Sequence, residues 1–259
     1  MGLSRTLNMV RNIKNWNGYL IYKFSSKKKG KFIFKLRNNF SVSVPKQLIV
    51  EFKECLFEEV YYKHLPKKIY SVNNPIVIDI GANAGYFTIF SILKLKDPKI
   101  IAFEPIKRNY FFLQDNLATA KNNKLAIVNK AVNDKNGELI LKFDKTKEFT
   151  TSASLYDNPY GSDEEIVIST SLESIFSDYD LSKIDILKLD CEGAEYNIIY
   201  NTPSHFFEKV NCITMETHKG KNEKENNSEL ANYISDLGFH VKTKHDDFIW
   251  AFKDQERWL

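Results

Sequence analysis

Val77-Ile78-Asp79-Ile80-Gly81-Ala82-Asn83-Ala84-Gly85 is the stretch on which the reading of this chain turns. It begins inside a short apolar run, residues 76–80, with the length and composition of a buried strand. It ends where residues 86–95 take up a helical pattern. Gly81 and Gly85 let the backbone turn sharply between the two and let a ligand approach the main chain. Taken alone, the pair is also what a tight strand-to-helix junction with a capping acid would use.

Outward from this junction the alternation repeats. Strands are expected at 100–103, 125–132, 184–189 and 212–215, and helices at 107–121, 194–200 and 228–237. Such an order argues for an α/β layer with a mostly parallel sheet. Residues 239–241 and 248–252 are expected to close it as an antiparallel pair, and 137–143 and 166–168 read as inserted strands. The polar stretch 145–165 is longer than an ordinary connection and has the character of a lid or binding loop. Ahead of the alternation, 32–44 read as a hairpin turning at 37–39. Residues 19–24 read as a strand leading to a basic tip at 27–31. Pro45 opens a helical pattern through Leu48, Phe52, Leu56 and Val60, which Pro66 ends.

Three groups of polar residues fall at strand ends, where open α/β sheets bind ligands. Asp79 precedes the glycine turn. Glu104 follows the next strand, 25 residues on, about the spacing at which a carboxylate meets a ribose diol. A dinucleotide wants three glycines and no carboxylate facing its pyrophosphate. A cation is welcome beside Asp79, and S-adenosylmethionine carries both an ammonium and a sulfonium. The second group, Asp190-Cys191-Glu192-Gly193-Ala194-Glu195, ends the strand at 184–189. Its carboxylates could hold a cation or an acceptor's hydroxyls, or could simply cap the next helix. The third is Glu216-Thr217-His218. Of the five histidines, His218 alone follows a buried strand beside these carboxylates, which makes it the candidate base. Asp190, Glu216 and His218 are also metal-ligand types, but their spacing demands no ion and none is expected.

On these residues the chain resembles the FkbM family of S-adenosylmethionine-dependent methyltransferases. The matching stretches are 77–88, Ala102-Phe103-Glu104-Pro105, the Asn116 region, Thr151-Ser152-Ala153-Ser154-Leu155, 187–195 and Met215-Glu216-Thr217-His218, in the family's order over about residues 75–220. The resemblance implies a Rossmann-like, seven-stranded methyltransferase sheet, mostly parallel with an antiparallel closing strand, and transfer of a methyl group, usually to a hydroxyl. Carried over, it implies that Asp79, Gly81, Asn83 and Gly85 hold the methionine end of the cofactor and Glu104 the ribose. Asp190, Glu192 and Glu195 would line the site near the transferred methyl. Cys191 stands where the family more often has Val. By position alone, Asn133 and Asp134 would lie at the adenine.

For the transfer itself we expect His218 as base, oriented by Glu216 or Asp190. The acceptor is expected to be a small molecule or glycan, a sugar first, because strand-end carboxylates suit a polyhydroxylated molecule. A nucleic-acid methyltransferase is one rival. Asp157-Asn158-Pro159-Tyr160 faintly resembles the Asp-Pro-Pro-Tyr motif, which belongs at the end of the fourth strand, where this chain has Asp-Cys-Glu-Gly. The missing third glycine disfavours an NAD-dependent oxidoreductase, and no Gly-x-x-x-x-Gly-Lys-Ser/Thr occurs. A non-catalytic binding module would not need both Asp79 and Glu104.

Composition sets the remaining bounds. The chain has 259 residues, 14% of them aromatic, which argues against disorder. No run approaches the roughly 18 apolar residues of a membrane span, and no apolar leader is read at the start. Three scattered cysteines exclude a disulfide framework and fit a reducing cytoplasm. Charge divides the chain. Residues 1–50 hold eleven Lys and Arg and no acid, while the other 209 hold 26 basic and 33 acidic residues, a net of -7. We therefore divide the sequence into a basic extension, 1–70, of amphipathic helix, hairpin and helix, and a methyltransferase domain, 71–259. Leu3, Leu7, Val10, Ile13 and Trp16 recur at helical steps. That helix is expected either to pack on the domain or to lie on an anionic membrane surface, peripheral rather than spanning. Such an extension is also a common place to dimerise, so a homo-oligomer is an open expectation.

Overall fold

Strands that are apolar on both sides need cover on both faces, and the fold follows from how this chain supplies it. The computed structural model describes residues 3–24, 30–37, 40–120, 124–144, 163–218, 220–244 and 247–254. The basic tip at 27–29, the 151–155 stretch, the 157–160 tetrapeptide and nearly all of the expected lid lie outside them.

The chain begins with helices α1 (Leu3–Asn12) and α2 (Trp16–Phe24), followed by the antiparallel hairpin β1 (Lys31–Lys35) and β2 (Ser41–Pro45). The strand expected at 19–24 is therefore a helix. It packs on β1 instead of pairing with it: Tyr22 and Phe32 rings lie 5.2 Å apart. A side chain in place of Gly18 would meet the Phe32 ring at 2.8 Å. The helical pattern after Pro45 is broken into a 3-10 turn, α3 (Ile49–Lys53) and a π turn over Glu54–Glu58. Cys55, Leu56 and Phe57 are all buried in succession, which a regular helix with one inner face cannot provide. Glu59 then turns left-handed at φ 52°. The carbonyls freed by this break find donors on α1: Asn12 Nδ2 donates to Leu56 O at 2.7 Å and Asn8 Nδ2 to Phe57 O at 3.1 Å.

The sheet proper is built from β3 (Ile76–Ile80), α4 (Tyr86–Lys94), β4 (Lys99–Phe103), α5 (Lys107–Leu117) and β5 (Leu125–Val128). The strand expected over 125–132 divides here. Its second half is β6 (Ala131–Asn133), which forms a separate three-stranded sheet with β7 (Gly137–Phe143) and β8 (Asp163–Ser171) in the order β6-β8-β7. Next come α6 (Leu172–Asp178), β9 (Ile186–Leu189), α7 (Ala194–Asn201), the single turn α8 (Ser204–Phe207), β10 (Cys212–Glu216), α9 (Asn227–Asp236), β11 (His240–Lys244) and β12 (Phe248–Phe252). Helix α6 was not read from the sequence, although Ser171 Oγ caps it by accepting from Ser174 N–H at 3.1 Å. The seven strands run in the order β11-β12-β10-β9-β3-β4-β5. β12 is antiparallel to both its neighbours, and β10, β9, β3, β4 and β5 pair in parallel. This is the expected Rossmann-like sheet with its antiparallel closing strand.

Register sorts the side chains into two cores. Ile78, Ile80, Ile101, Phe103, Leu187, Leu189, Ile213 and Met215 face α6, α7 and α9. Val77, Ile100, Ala102, Ile186, Cys212 and Trp250 face the other way and share one core with Met9, Phe34, Phe52, Phe57 and Tyr61 of the extension. The sequence boundary at 70 is thus not a break in packing. Trp250 Nε1 donates to Val60 O at 2.8 Å, tying the closing strand to the extension. Phe52 is wholly buried, stacked on Phe34 at 4.4 Å and edge-on to Tyr86 at 5.3 Å. Phe52→Ala should cost about 3–5 kcal/mol and lower a single calorimetric transition. A two-step melt in which the extension unfolds first would contradict the shared core.

Candidate active site

The carboxyl ends of β3, β4, β9 and β10 open onto one cavity of about 330 Å³. The glycine turn lines it from Gly81 to Ala84, while Gly85, expected at the cofactor, is not on its wall. Gly81 and Gly85 sit at φ 75° and 82°, and Asn83 at 47°. A Cβ at Gly81 would lie 1.8 Å from Asp190 O, so the turn after β3 and the loop after β9 touch main chain to main chain. A Cβ at Gly85 would meet Leu113 Cδ1 at 2.5 Å, which fixes how closely α5 packs.

Asp79, expected on the cavity wall, stands behind it. It is fully buried, with Oδ2 accepting from Thr88 Oγ1 at 2.6 Å and Oδ1 3.2 Å from Lys188 Nζ. Its charge faces Lys188 and Thr88 within the protein, and it is not on the cavity wall where it was expected. Lys188 was not anticipated. In register beside Asp79, its Nζ donates to Ile80 O at 3.1 Å and Gly81 O at 2.7 Å and lies 3.6 Å from Asp190 Oδ2. Burial works against the ammonium, but Asp79 and Asp190 outweigh it and hold its pKa above the usual lysine value. Lys188 interrupts an otherwise apolar strand, and that interruption was the available signal.

Glu104 is on the wall as expected. It is nearly buried, with Oε2 accepting from Asn83 N–H at 2.8 Å and Oε1 from Ile106 N–H at 3.0 Å. Burial pushes its carboxyl up to about 7, against those hydrogen bonds. Asn83 also lines the cavity, and its Oδ1 is buried with no partner among the described residues. Asp134 does not line the cavity. The wall there is Lys130, Ala131 and Val132, because the chain leaves the main sheet after β5. Asn133 instead accepts from Asn197 Nδ2 of α7 at 3.3 Å.

At the other end His218 meets the carboxylates of the β9 loop. Its Nδ1 is 3.0 Å from Glu195 Oε1, and its Nε2 faces Glu192 Oε2 at 3.5 Å and Asp190 Oδ1 at 4.0 Å. The carboxylate that bonds the His218 ring is therefore Glu195, where Glu216 or Asp190 was expected. Glu195 is wholly buried and is itself fixed by the N–H groups of Cys191 and Gly193, each at 2.8 Å. Glu216 lines the cavity nearby. Burial lowers the His218 pKa, but the Glu195 hydrogen bond and the charges of Glu195, Glu192 and Asp190 prevail and push it up to about 10. Burial raises Glu192 to about 8 despite His218, and raises Glu216 to about 7, helped by Asp190. A divalent ion would suit Asp190, Glu192 and His218, whose donor atoms lie within 4.8 Å of one another. Glu192 takes the place that the sequence assigned to Glu216. The imidazolium of His218 answers the same carboxylates.

The extension supplies a wall that no motif foretold. Val50, Glu51, Glu54, Cys55 and Tyr61 all line the cavity. Tyr61 Oη donates to Asp190 Oδ2 at 2.8 Å. Burial, with the charge of Glu216, pushes Glu54 up to about 7. A cavity lined by an unsatisfied Asn83 oxygen, the Glu104 carboxylate and a further excess of carboxylates fits a cationic nucleoside such as S-adenosylmethionine.

Comparison with known proteins gives the family. The Methyltransferase FkbM domain matches residues 79–241, well over half of the chain. The methyltransferase sdnD of Sordaria araneosa is 24% identical over 228 residues, 76% of this chain and 85% of that protein. Among solved structures, the precorrin-6y C5,15-methyltransferase of Geobacter metallireducens is similar at a TM-score of 0.44 and 13% identity, over 72% of this chain and 84% of that one. SMU.1697c of Streptococcus mutans, solved with S-adenosylhomocysteine, is similar at 0.42 and 12%, over 72% and 93%. The cavity, its carboxylates and the domain match agree, and the chain belongs to the FkbM methyltransferase family, with S-adenosylmethionine as its methyl donor.

Proposed function

We propose that the protein methylates a hydroxyl group of a sugar or glycoconjugate, with His218 Nε2 taking the hydroxyl proton. The observation that carries this reading is the setting of His218: Nδ1 is fixed by buried Glu195, and Nε2 stands between Glu192 and Asp190 at the cavity. When bound, the cofactor supplies a methyl group already activated on sulfur. Glu104 would accept from the ribose hydroxyls, and the glycine turn would bring main-chain groups against the methionine end. Asp79 acts through Lys188, as a positioning residue. Asp190 and Glu192, both on the cavity wall, would complement the positive charge of the donor.

Supporting a polyhydroxylated acceptor are Glu54 and Glu216, contributed from opposite sides of the cavity. Held near neutral pKa, they can accept or donate hydrogen bonds to several hydroxyls. The extension walls the cavity on that side, which would limit the access of water to the reacting groups.

The pH dependence follows from the site. A base works deprotonated, and kcat/KM reports the free enzyme. With His218 up to about 10, kcat/KM should rise about tenfold per pH unit from neutrality and level near 10. His218→Gln should lower kcat/KM on the true acceptor by about 10²–10⁴ and leave S-adenosylhomocysteine affinity within about threefold. A rise centred near 7 that survives His218→Gln would overturn the assignment in favour of Glu216. Glu104→Gln should weaken S-adenosylhomocysteine by about tenfold or more in calorimetry, the scale of one charged hydrogen bond. Unchanged affinity would remove Glu104 from the ribose. Mass spectrometry of sugar acceptors incubated with labelled donor tests the acceptor class, and transfer confined to amines or nucleic acid would refute it.

A further inference from the structure

We propose that α1, α2 and the outer side of β1 form a docking face for a membrane containing anionic lipid. The inner sides of both helices are already used: Met9, Asn12 and Ile13 are buried from the first and Tyr19 from the second. What remains outside is apolar beyond any packing need. Leu3 is 79% exposed and Leu7 60%, and on α2 Ile21 is 78% and Phe24 79% exposed. Ile33 is exposed on β1.

Basic residues are interleaved with these side chains. Leu3, Leu7 and Arg11 follow one stripe of α1 at four-residue steps. Leu20, Ile21 and Phe24 share a side of α2 with Lys23 between them. Ile33 and Lys35 alternate outward on β1. Arg11, Lys14, Lys23 and Lys35 are all exposed, and residues 1–50 contain no acid at all. The corner between the helices is held to β1 by Asn15, which donates to Ile33 O at 2.9 Å and accepts from Lys35 N–H at 2.8 Å. Lys14 N–H donates to Lys35 O at 2.7 Å. The three elements therefore present their outer residues from one braced unit.

This combination selects the occupant. A nucleic acid would be met by the cations but has no use for exposed Leu3, Leu7, Ile21 and Phe24. A lipid interface takes both, since apolar side chains enter the acyl boundary while Lys and Arg meet anionic headgroups. The remaining 209 residues carry a net charge of -7 and are repelled by the same surface, which directs the extension toward it. Among the described residues no helix is long and apolar enough to cross a membrane, so the contact is peripheral.

Co-sedimentation of the full chain with vesicles tests this. In 50 mM NaCl, the protein should partition at least tenfold more strongly onto equimolar phosphatidylcholine and phosphatidylglycerol than onto phosphatidylcholine alone. Raising NaCl to 500 mM should reduce that binding about tenfold or more. The double variant Ile21→Asp/Phe24→Asp should lose at least tenfold in binding, with melting and S-adenosylhomocysteine affinity unchanged because both side chains are on the surface. Equal partition onto the two vesicle types, or full retention of binding by the double variant, would overturn the proposal. So would competition by single-stranded RNA that the variant does not affect, or a solution dimer that the variant splits.

Discussion

The ammonium of Lys188 is the point on which the site depends. It is almost wholly buried, 3.2 Å from Asp79 and 3.6 Å from Asp190, and it donates to the carbonyls of Ile80 and Gly81. A buried charge survives only when its partners are well placed. Here those partners are the end of β3, the glycine turn and the loop after β9, so satisfying one ammonium fixes all three. Tyr61 adds the extension to the same centre. Its hydroxyl donates to Asp190 and its ring lies 5.5 Å from Lys188 Nζ. The sheet, the cofactor turn and the N-terminal cover thus meet around one cation, and the cavity is the space they leave.

The sheet was legible because its strands are short, apolar runs separated by helical stretches, and period and length tell these apart. What failed was local and has physical reasons. Residues 19–24 have strand composition, yet they fold as a helix that lies on Phe32 of β1, a tertiary contact with close approach at Gly18 that no local pattern announces. Residues 125–132 read as one strand, but Asn129 breaks them. Its Nδ2 donates to Glu104 O and Pro105 O and turns the chain into a second sheet. The π turn at 54–58 and the left-handed Glu59 are supported by Asn8 and Asn12, which satisfy the opened carbonyls from far away in sequence, and no local pattern announces such support.

The site divides in the same way. Residues that sit on turns with a characteristic order, Gly81, Glu104, Asp190, Glu192 and His218, line the cavity where the sequence led us to expect them. What stands behind or between them was not legible. A carboxylate at the end of a strand reads the same whether it faces ligand or lysine, so Asp79 was taken for a direct contact and Lys188 was overlooked. Glu195 was expected to line the site or to cap the next helix, and it stands wholly buried, off the cavity wall. That it also bonds His218 Nδ1 depends on β10 lying beside β9. The contribution of Glu54 and Tyr61 depends on the extension sharing a core with the sheet, which no motif in the first 70 residues encodes.

A double-mutant cycle at Asp79 and Lys188 tests this account most directly, read out by equilibrium unfolding and by calorimetric binding of S-adenosylhomocysteine. Lys188→Met alone should cost about 3–5 kcal/mol, because it leaves Asp79 buried without its counter-charge, and should abolish measurable binding. Adding Asp79→Asn should restore at least about 1 kcal/mol of that stability without restoring affinity. Additive losses, or a Lys188→Met variant that binds S-adenosylhomocysteine as the parent does, would contradict it.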